Sequence, residues 1–149
     1  MDAVILVGIQ ATRKSTFYQQ RFFATHVQVS LDLLRTRYRE RSLFEWCLVH
    51  RQPFVVDNTN PTVAERAVDV TPARVAGFRV VGYYFESNVP ASIRRNEARS
   101  GSARVPPAAI GGAKRRLVLP TIAEGFDALH FVRVSPGGEF MIEDWRDAV

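Results

Sequence analysis

The chain has 149 residues, enough for one domain, and its 46% hydrophobic and 23% charged residues are typical of a globular protein. This balance excludes a disordered chain, a collagen and a coiled-coil rod. No apolar run approaches the ~18 residues of a membrane span, and the N-terminal stretch lacks the basic region of a signal peptide. We expect a single domain over residues 1–149, located in the cytoplasm and without membrane contact. The lone Cys47 excludes an intramolecular disulfide and predicts an inert buried thiol.

The formal net charge is +5, with a sequence pI near 10.0. Arginine supplies almost all of the positive charge, because 18 of the 20 basic residues are Arg and only Lys14 and Lys114 are Lys. A basic balance of this kind predicts an anionic partner without naming it. A site that needs a lysine ammonium group can therefore use only Lys14 or Lys114.

Buried-strand patterns alternate with helical patterns along the chain. We predict strands at Ala3–Val7, Val27–Ser30, Phe54–Val56, Phe78–Phe85, Ala128–Val134 and Phe140–Ile142. We predict helices at Lys14–Phe23, Asp32–His50, Thr62–Ala76 and Pro90–Ala98, and a further one from Pro106 or Pro107. This alternation favours right-handed βαβ units, and therefore an α/β fold whose mostly parallel sheet has about five strands, flanking helices and a C-terminal edge strand. Functional sites in such sheets lie at the carboxyl ends of the strands.

The segment Gly8–Ser15 fits the phosphate-binding pattern G-x-x-x-x-G-K-[ST], except that Arg13 replaces the second glycine. It directly follows the first predicted strand and opens a helix, which is the context that the pattern requires. In such a loop backbone N–H groups surround phosphate oxygens, the lysine reaches the β- and γ-phosphates, and the hydroxyl binds Mg²⁺. We therefore expect ATP and Mg²⁺ as cofactors. The expected nucleotide-binding residues are Gly8, Gln10, Ala11, Thr12, Arg13, Lys14, Ser15 and Thr16.

Arg13 has two opposing effects on this expectation. Glycine at this position lets the backbone approach the phosphates closely, whereas arginine brings a Cβ and a long side chain into a crowded turn. The same arginine adds a positive charge that can pair with phosphate. The sequence leaves both outcomes open, weakened nucleotide binding or electrostatic compensation.

Two acidic residues follow other predicted strands. Asp57 ends Phe54–Val56, at the Mg²⁺-side acidic position of phosphate-loop enzymes, although turn capping also favours Asp there. Asp32 begins a helix, where it either complements the helix dipole or accepts the proton of an attacking hydroxyl. Arg35, one turn later, would hold an anionic acceptor. We expect a solvated face from Arg37, Arg39 and Arg41.

Four arginines flank a Ser/Gly joint at Ser100–Ala103; they are Arg94, Arg95, Arg99 and Arg104. Arginines on a mobile segment neutralise a phosphoryl group in transit as a site closes. We expect a lid over residues 94–106. An exposed basic helix and loop is the alternative interpretation.

Together these motifs resemble those of small bacterial and phage P-loop kinases of the polynucleotide 5′-hydroxyl kinase type, also described as AAA-type ATP-binding proteins. The resemblance covers about residues 3–134 and includes the Asp57–Asn60 segment and the Asn96 and Val105-Pro106 of the lid. It implies a P-loop NTPase fold and transfer of the γ-phosphoryl group of ATP to a hydroxyl. The implied roles are catalysis by Lys14, Arg95 and Arg99, general base catalysis by Asp32, acceptor binding by Arg35, and metal support by Ser15 and Asp57.

Arg13 makes the Walker A loop degenerate relative to that family. Because related kinases act on sugars, nucleosides and nucleotide sugars as well as nucleic-acid ends, the resemblance implies a hydroxyl acceptor without choosing among these classes. A catalytically inactive protein that binds an anion or nucleic acid through its basic lid is the alternative function.

Overall fold

The computed structural model describes residues 1–99, 101 and 104–145. Its strands are β1 (Asp2–Val7), β2 (Val27–Val29), β3 (Phe54–Asp57), β4 (Arg79–Phe85), β5 (Ala128–Val134) and β6 (Phe140–Asp144). They form one sheet in the order β2-β3-β1-β4-β5-β6. The first five strands are parallel, and β6 pairs antiparallel with β5. The predicted α/β fold, with its mostly parallel sheet and C-terminal edge strand, is confirmed.

The helices are α1 (Lys14–Arg21), α2 (Leu31–Leu34), α3 (Arg37–His50), α4 (Val63–Val75), α5 (Val89–Glu97) and α6 (Pro107–Arg116). The single helix predicted over Asp32–His50 is wrong, because the chain breaks between α2 and α3. Arg35 adopts φ +76°, outside the helical region, and the hydroxyl of Thr36 accepts the N–H of Arg39 to cap the new helix. Pro72 lies in the last part of α4 without interrupting it.

Apolar side chains cover both faces of β1, as the continuous apolar run predicts. Ala3, Ile5 and Val7 belong to a core that includes Phe44 and Cys47 of α3 and Val70 and Ala73 of α4. Val4 and Leu6 point to the other face, where Phe17 and Tyr18 of α1 pack. Burial raises the pKa of Cys47 to about 11, in agreement with the inert thiol that the sequence predicts.

A third apolar cluster joins α5 and α6 to the loop after β1. Ile9 of that loop packs with Ile110 and Ala113 of α6, and Ile93 of α5 covers them. Asn96 is fully buried, and its side chain donates to the carbonyl of Val105 at 2.6 Å and accepts its N–H at 2.8 Å. The Asn96 carboxamide therefore fastens the end of α5 to the segment that leads into α6.

The predicted joint at Ser100–Ala103 lies largely outside the described residues, since Ser100, Ser102 and Ala103 are not among them. The lid over residues 94–106 stays a prediction. Among the residues that the structure describes, no helix combines the length and the apolarity that crossing a lipid bilayer requires.

Candidate phosphate-binding site

The loops that follow β1 and β3 are joined by backbone and side-chain hydrogen bonds. Gly8 donates its N–H to the carbonyl of Thr59 at 3.0 Å, and Asn60 donates its side-chain amide to the carbonyl of Leu6 at 2.9 Å. A Cβ on Gly8 would lie 3.1 Å from the Cβ of Phe85 on β4, so this position favours glycine through close packing. The first residue of the phosphate-binding pattern is thus fixed between two neighbouring strand ends.

Lys14 is buried and directs its ammonium group into the loop. Its Nζ donates to the carbonyls of Gly8 at 3.0 Å and Ile9 at 2.8 Å and to the hydroxyl of Thr12 at 3.3 Å. Desolvation lowers the pKa of Lys14 from 10.5 to about 8, partly opposed by the nearby carboxylate of Asp57. The loop therefore holds a cation that is poorly solvated and surrounded by dipoles.

Arg13 occupies the backbone conformation that glycine normally provides. Its φ is +71° and its ψ is +27°, and its carbonyl accepts the N–H of Phe17 to start α1. Its side chain lies outside the loop, where Nη1 donates to the carbonyl of Gly138 in the β5–β6 turn at 3.4 Å. Since a left-handed residue costs about 1–2 kcal/mol unless it is glycine, the loop keeps its shape at some cost in stability.

Ser15 and Asp57 place two oxygen ligands side by side. The hydroxyl of Ser15 donates to Oδ2 of Asp57 at 2.7 Å, and the same oxygen accepts the side-chain N–H of Gln28 at 2.9 Å. No group of three or more His, Cys, Asp and Glu in the described part of the chain could hold a metal by itself. A hydroxyl and one carboxylate nevertheless suit Mg²⁺, which takes its remaining oxygen ligands from water and substrate phosphates.

A small cavity of about 50 Å³, the phosphate cavity, brings together most of the residues that the sequence singled out. Its lining includes Gln10, Ala11, Lys14, Ser15, Asp32, Asp57 and Arg99. These residues come from the ends of β1, β2 and β3 and from the chain that follows α5. The side-chain oxygen Oε1 of Gln10 is buried and has no hydrogen-bond partner among the described residues.

Three larger clefts adjoin the phosphate cavity. The α2 cleft, about 480 Å³, is lined by Asp32, Arg35 and Arg99, so the predicted pair Asp32 and Arg35 does share one surface. The outer cleft, about 270 Å³, is lined by Arg13, Thr16, Arg95 and Arg99. The α4 cleft, about 580 Å³, includes Gln10, Asp32, Asn58, Val68 and Asp69.

Arg95 is tied to the phosphate-binding loop itself. Its Nη1 donates to the carbonyl of Ala11 at 2.9 Å, and desolvation followed by the neighbouring cations Arg13 and Arg94 lowers its pKa. Arg94 and Arg104 are exposed instead and line none of the four described cavities named above. The predicted basic segment therefore divides into two arginines at the site and two on the surface.

The interpretation of Arg37, Arg39 and Arg41 as a solvated face is wrong for Arg41. The Arg41 guanidinium donates to both carboxylate oxygens of Glu40, at 2.6 and 3.1 Å, and also to Asp69 of α4. Gln28, Asn58 and Glu40 were also missed as neighbours of the site. Only Asn58 had a signal in the sequence, because it lies within the segment after β3.

Comparison with known proteins supports this description. No family model matches the sequence. The bifunctional polynucleotide phosphatase/kinase of Schizosaccharomyces pombe is 26% identical over 129 residues, which cover 84% of this chain and 32% of that protein. The chain thus spans about a third of the length of this curated relative.

Two solved structures share the fold at low sequence identity. Kti12 of Chaetomium thermophilum, in complex with ADP-AlF3, matches with a TM-score of 0.69 at 12% identity, covering 91% of this chain and 92% of Kti12. The AvrRxo1-ORF1:ORF2 complex with ATP matches with a TM-score of 0.72 at 14% identity, covering 95% of this chain and 57% of that one. The chain therefore shares its fold with these two solved structures and is similar in sequence to a polynucleotide phosphatase/kinase.

Proposed function

We propose that this chain is a phosphotransferase that moves the γ-phosphoryl group of ATP to a hydroxyl, with a polynucleotide 5′ end as the acceptor. The observation that supports this most strongly is the lining of the phosphate cavity. A buried lysine, a hydroxyl–carboxylate pair and the exposed carboxylate of Asp32 all border one space of about 50 Å³. This set contains the groups that phosphoryl transfer needs, which are a phosphate cation, a metal side and a base.

The donor nucleotide would lie across the loop, with its terminal phosphates at Lys14 and the remainder in the outer cleft. Thr16, Arg13 and Arg95 line that cleft, and a hydroxyl with two guanidinium groups suits a polyphosphate chain. Ser15 and Asp57 would hold Mg²⁺, which when bound neutralises charge on the β- and γ-oxygens. The contacts of Lys14 with the loop carbonyls would be exchanged for contacts with phosphate oxygens.

Asp32 would act as the general base. An acceptor hydroxyl in the α2 cleft would reach Asp32, and the carboxylate would accept its proton as the hydroxyl oxygen bonds to the γ-phosphorus. The bond between the γ-phosphorus and its bridging oxygen breaks, and ADP leaves with that electron pair. Lys14 and Arg99, which both border the phosphate cavity, stabilise the charge on the transferring group.

Charge distribution favours a polyanionic acceptor. Residues 94–116 contain seven Lys and Arg and a single Glu, so this stretch has a charge of +6 and the rest of the chain has −1. Arg35 and Arg99 continue the positive charge into the α2 cleft. The similarity to a polynucleotide phosphatase/kinase supports the same acceptor. A strand of phosphates is a ligand that this excess of positive charge attracts.

The test is transfer of a radioactive γ-phosphate from ATP·Mg²⁺ to a 5′-hydroxyl oligonucleotide, with a 5′-phosphorylated oligonucleotide as the matched control. The proposal predicts label on the first substrate alone, and loss of transfer in the Asp32→Asn variant. ATP binding with no transfer to nucleic-acid ends or small alcohols would support the inactive anion-binding protein instead.

A further inference from the structure

Asn58 joins three parts of the molecule through one carboxamide. It follows Asp57 at the end of β3, and its side-chain oxygen accepts the N–H of Leu31 at 2.9 Å. Its side-chain nitrogen donates to Oε2 of Glu40 on α3 at 3.4 Å. Leu31 is the first residue of α2 and immediately precedes Asp32. Asn58 therefore links the metal side of the site to the helix that contains the proposed base.

Glu40 is a buried anchor for this carboxamide. It is fully buried, and two guanidinium groups compensate its charge, Arg41 at 2.6 and 3.1 Å and Arg37 at 3.2 Å. Arg41 in turn binds Asp69 of α4. Because Glu40 presents only acceptor oxygens, the amino group of Asn58 must face it, and the carbonyl oxygen of Asn58 must then face Leu31.

Helix α2 is weakly held by its own residues. It is four residues long, none of its residues is buried, and the chain leaves it through the positive φ of Arg35. A helix this short gains little from its own hydrogen bonds. Among the described residues, two side chains bind its backbone: the hydroxyl of Ser30 accepts the N–H of Leu33, and the side-chain oxygen of Asn58 accepts the N–H of Leu31.

We propose that Asn58 is a positioning residue that holds α2 so that Asp32 faces the phosphate cavity, with Glu40 and Arg41 fixing the orientation of its carboxamide. This inference rests on the proposed function, since it assigns to Asn58 the alignment of the base. The Asn58 side chain itself does not take the proton. Its effect is on the rate of transfer and not on the binding of ATP.

The structural part of the inference is tested by hydrogen exchange of backbone amides in the Asn58→Ala variant. We expect exchange at Leu31 to accelerate at least tenfold. The matched control is Asp127→Ala, which removes the side-chain oxygen that accepts the N–H of Val80 at 2.8 Å at the amino end of β4, together with an exposed ion pair to Arg74. This control should leave Leu31 unchanged. Exchange at Leu31 that is unaltered in Asn58→Ala would overturn the proposal whether or not the native chain is active.

The catalytic part is tested by steady-state kinetics at a temperature well below melting. We expect kcat of Asn58→Ala to fall ten- to a hundredfold while the KM for ATP stays within twofold, and kcat of Asp127→Ala to stay within twofold. Asn58→Asp should be equally impaired, because it sets a carboxylate against Glu40. The double variant Asn58→Asp with Glu40→Gln should recover at least part of kcat. In it the carboxamide lies at position 40 and the carboxylate at position 58, so the two groups have exchanged places.

A native chain without transfer activity would count against the proposed function, and the exchange experiment would still decide whether Asn58 holds α2. An active native chain whose kcat survives Asn58→Ala would overturn the positioning role and leave the proposed function intact.

Discussion

The hydroxyl of Ser15, at the start of α1, donates a hydrogen bond across 2.7 Å to Oδ2 of Asp57, the last residue of β3. The two residues are 42 positions apart in the chain and meet because β1 and β3 are neighbouring parallel strands, with Leu6 opposite Asp57. The carboxyl ends of both strands thus meet at one edge of the sheet, where α/β proteins place their sites. This contact connects the phosphate-binding loop to the acidic side of the site.

Replacing Ser15 by Ala should reduce Mg²⁺-dependent ATP binding. The variant removes one oxygen ligand of the proposed metal side and leaves the backbone of the loop intact. We expect at least a tenfold higher Kd for ATP with Mg²⁺ and little change in EDTA, measured by isothermal titration calorimetry. The control is Ser42→Ala on the exposed face of α3, which should match the native chain. An equal loss of ATP affinity with and without Mg²⁺ would contradict the role of Ser15 as a metal ligand.

The lowered pKa of Lys14 predicts a pH dependence of ATP binding. Below pH 8 the ammonium is present in the free protein, and affinity should be constant. Above pH 8 the free amine must take up a proton to face phosphate, so Kd should rise by up to about tenfold per pH unit. Proton uptake on binding above pH 8, obtained from titrations in buffers of different ionisation enthalpy, measures the same effect.

Lys14 also affects the stability of the protein without nucleotide, with a definite sign. Its pKa is about 8 in the folded state and near 10.5 in the unfolded state. Between pH 8 and pH 10.5 the chain therefore takes up a proton when it unfolds. Its contribution to the free energy of unfolding should rise from pH 8 to pH 10.5. In Lys14→Met, both the pH dependence of ATP binding and that of the free energy of unfolding should disappear. A native-like pH dependence in that variant would show that another group titrates.

Replacing Asp32 by Asn should abolish most transfer without affecting the fold. The carboxamide keeps the shape of the side chain but accepts a proton poorly, and loss of a general base costs ~10²–10⁴-fold in rate. Because Asp32 is exposed, the free energy of unfolding should change by only ~0.5 kcal/mol or less. Transfer kinetics together with urea denaturation check both statements. A variant with near-native kcat would remove Asp32 from the mechanism.

The buried ion pair of Arg66 and Glu124 should be a main determinant of stability. Arg66 is completely buried and donates to both carboxylate oxygens of Glu124, at 2.8 and 3.0 Å. Glu124→Ala leaves that charge without its carboxylate and should lower the free energy of unfolding by ~3–5 kcal/mol in urea titrations. The matched control is Asp2→Ala, which removes a half-exposed pair with Arg79 and should cost ~1 kcal/mol or less. Similar losses in the two variants would contradict this assignment.

Local patterns were enough to predict much of the fold and of the site. The apolar run of β1 and the phosphate-binding pattern after it are adjacent in the chain. One short segment was therefore enough to predict both the strand and the place of Lys14 at its carboxyl end. The strands that end near Ser30 and Asp57 were predicted in the same way. The topology of the sheet then brought Asp32, Asp57 and Lys14 to one cavity, as the rule of strand ends implies.

Tertiary contacts explain what the sequence did not reveal. The break at Arg35 needs a positive φ that arginine disfavours, and the cap at Thr36 forms only once the chain has broken there. Arg41 looked like part of a solvated face because its partner Asp69 lies 28 residues away on α4. The same holds for Arg66 and Glu124, which are 58 residues apart.

Arg13 is the one residue of this loop that departs from the phosphate-binding pattern. Its backbone already has the left-handed conformation, and its side chain lies outside the loop beside the outer cleft. Arg13→Gly removes ~1–2 kcal/mol of left-handed strain, partly offset by greater freedom of the unfolded chain. We therefore expect the loop to be competent with either residue.

The most direct measurement is the shift in melting temperature that ATP·Mg²⁺ produces in the native chain and in Arg13→Gly. We expect a clear upward shift in the native chain and a shift of similar size in the glycine variant. A shift in the glycine variant alone would show that Arg13 has disabled the loop, and no shift in either protein would contradict nucleotide binding at this site.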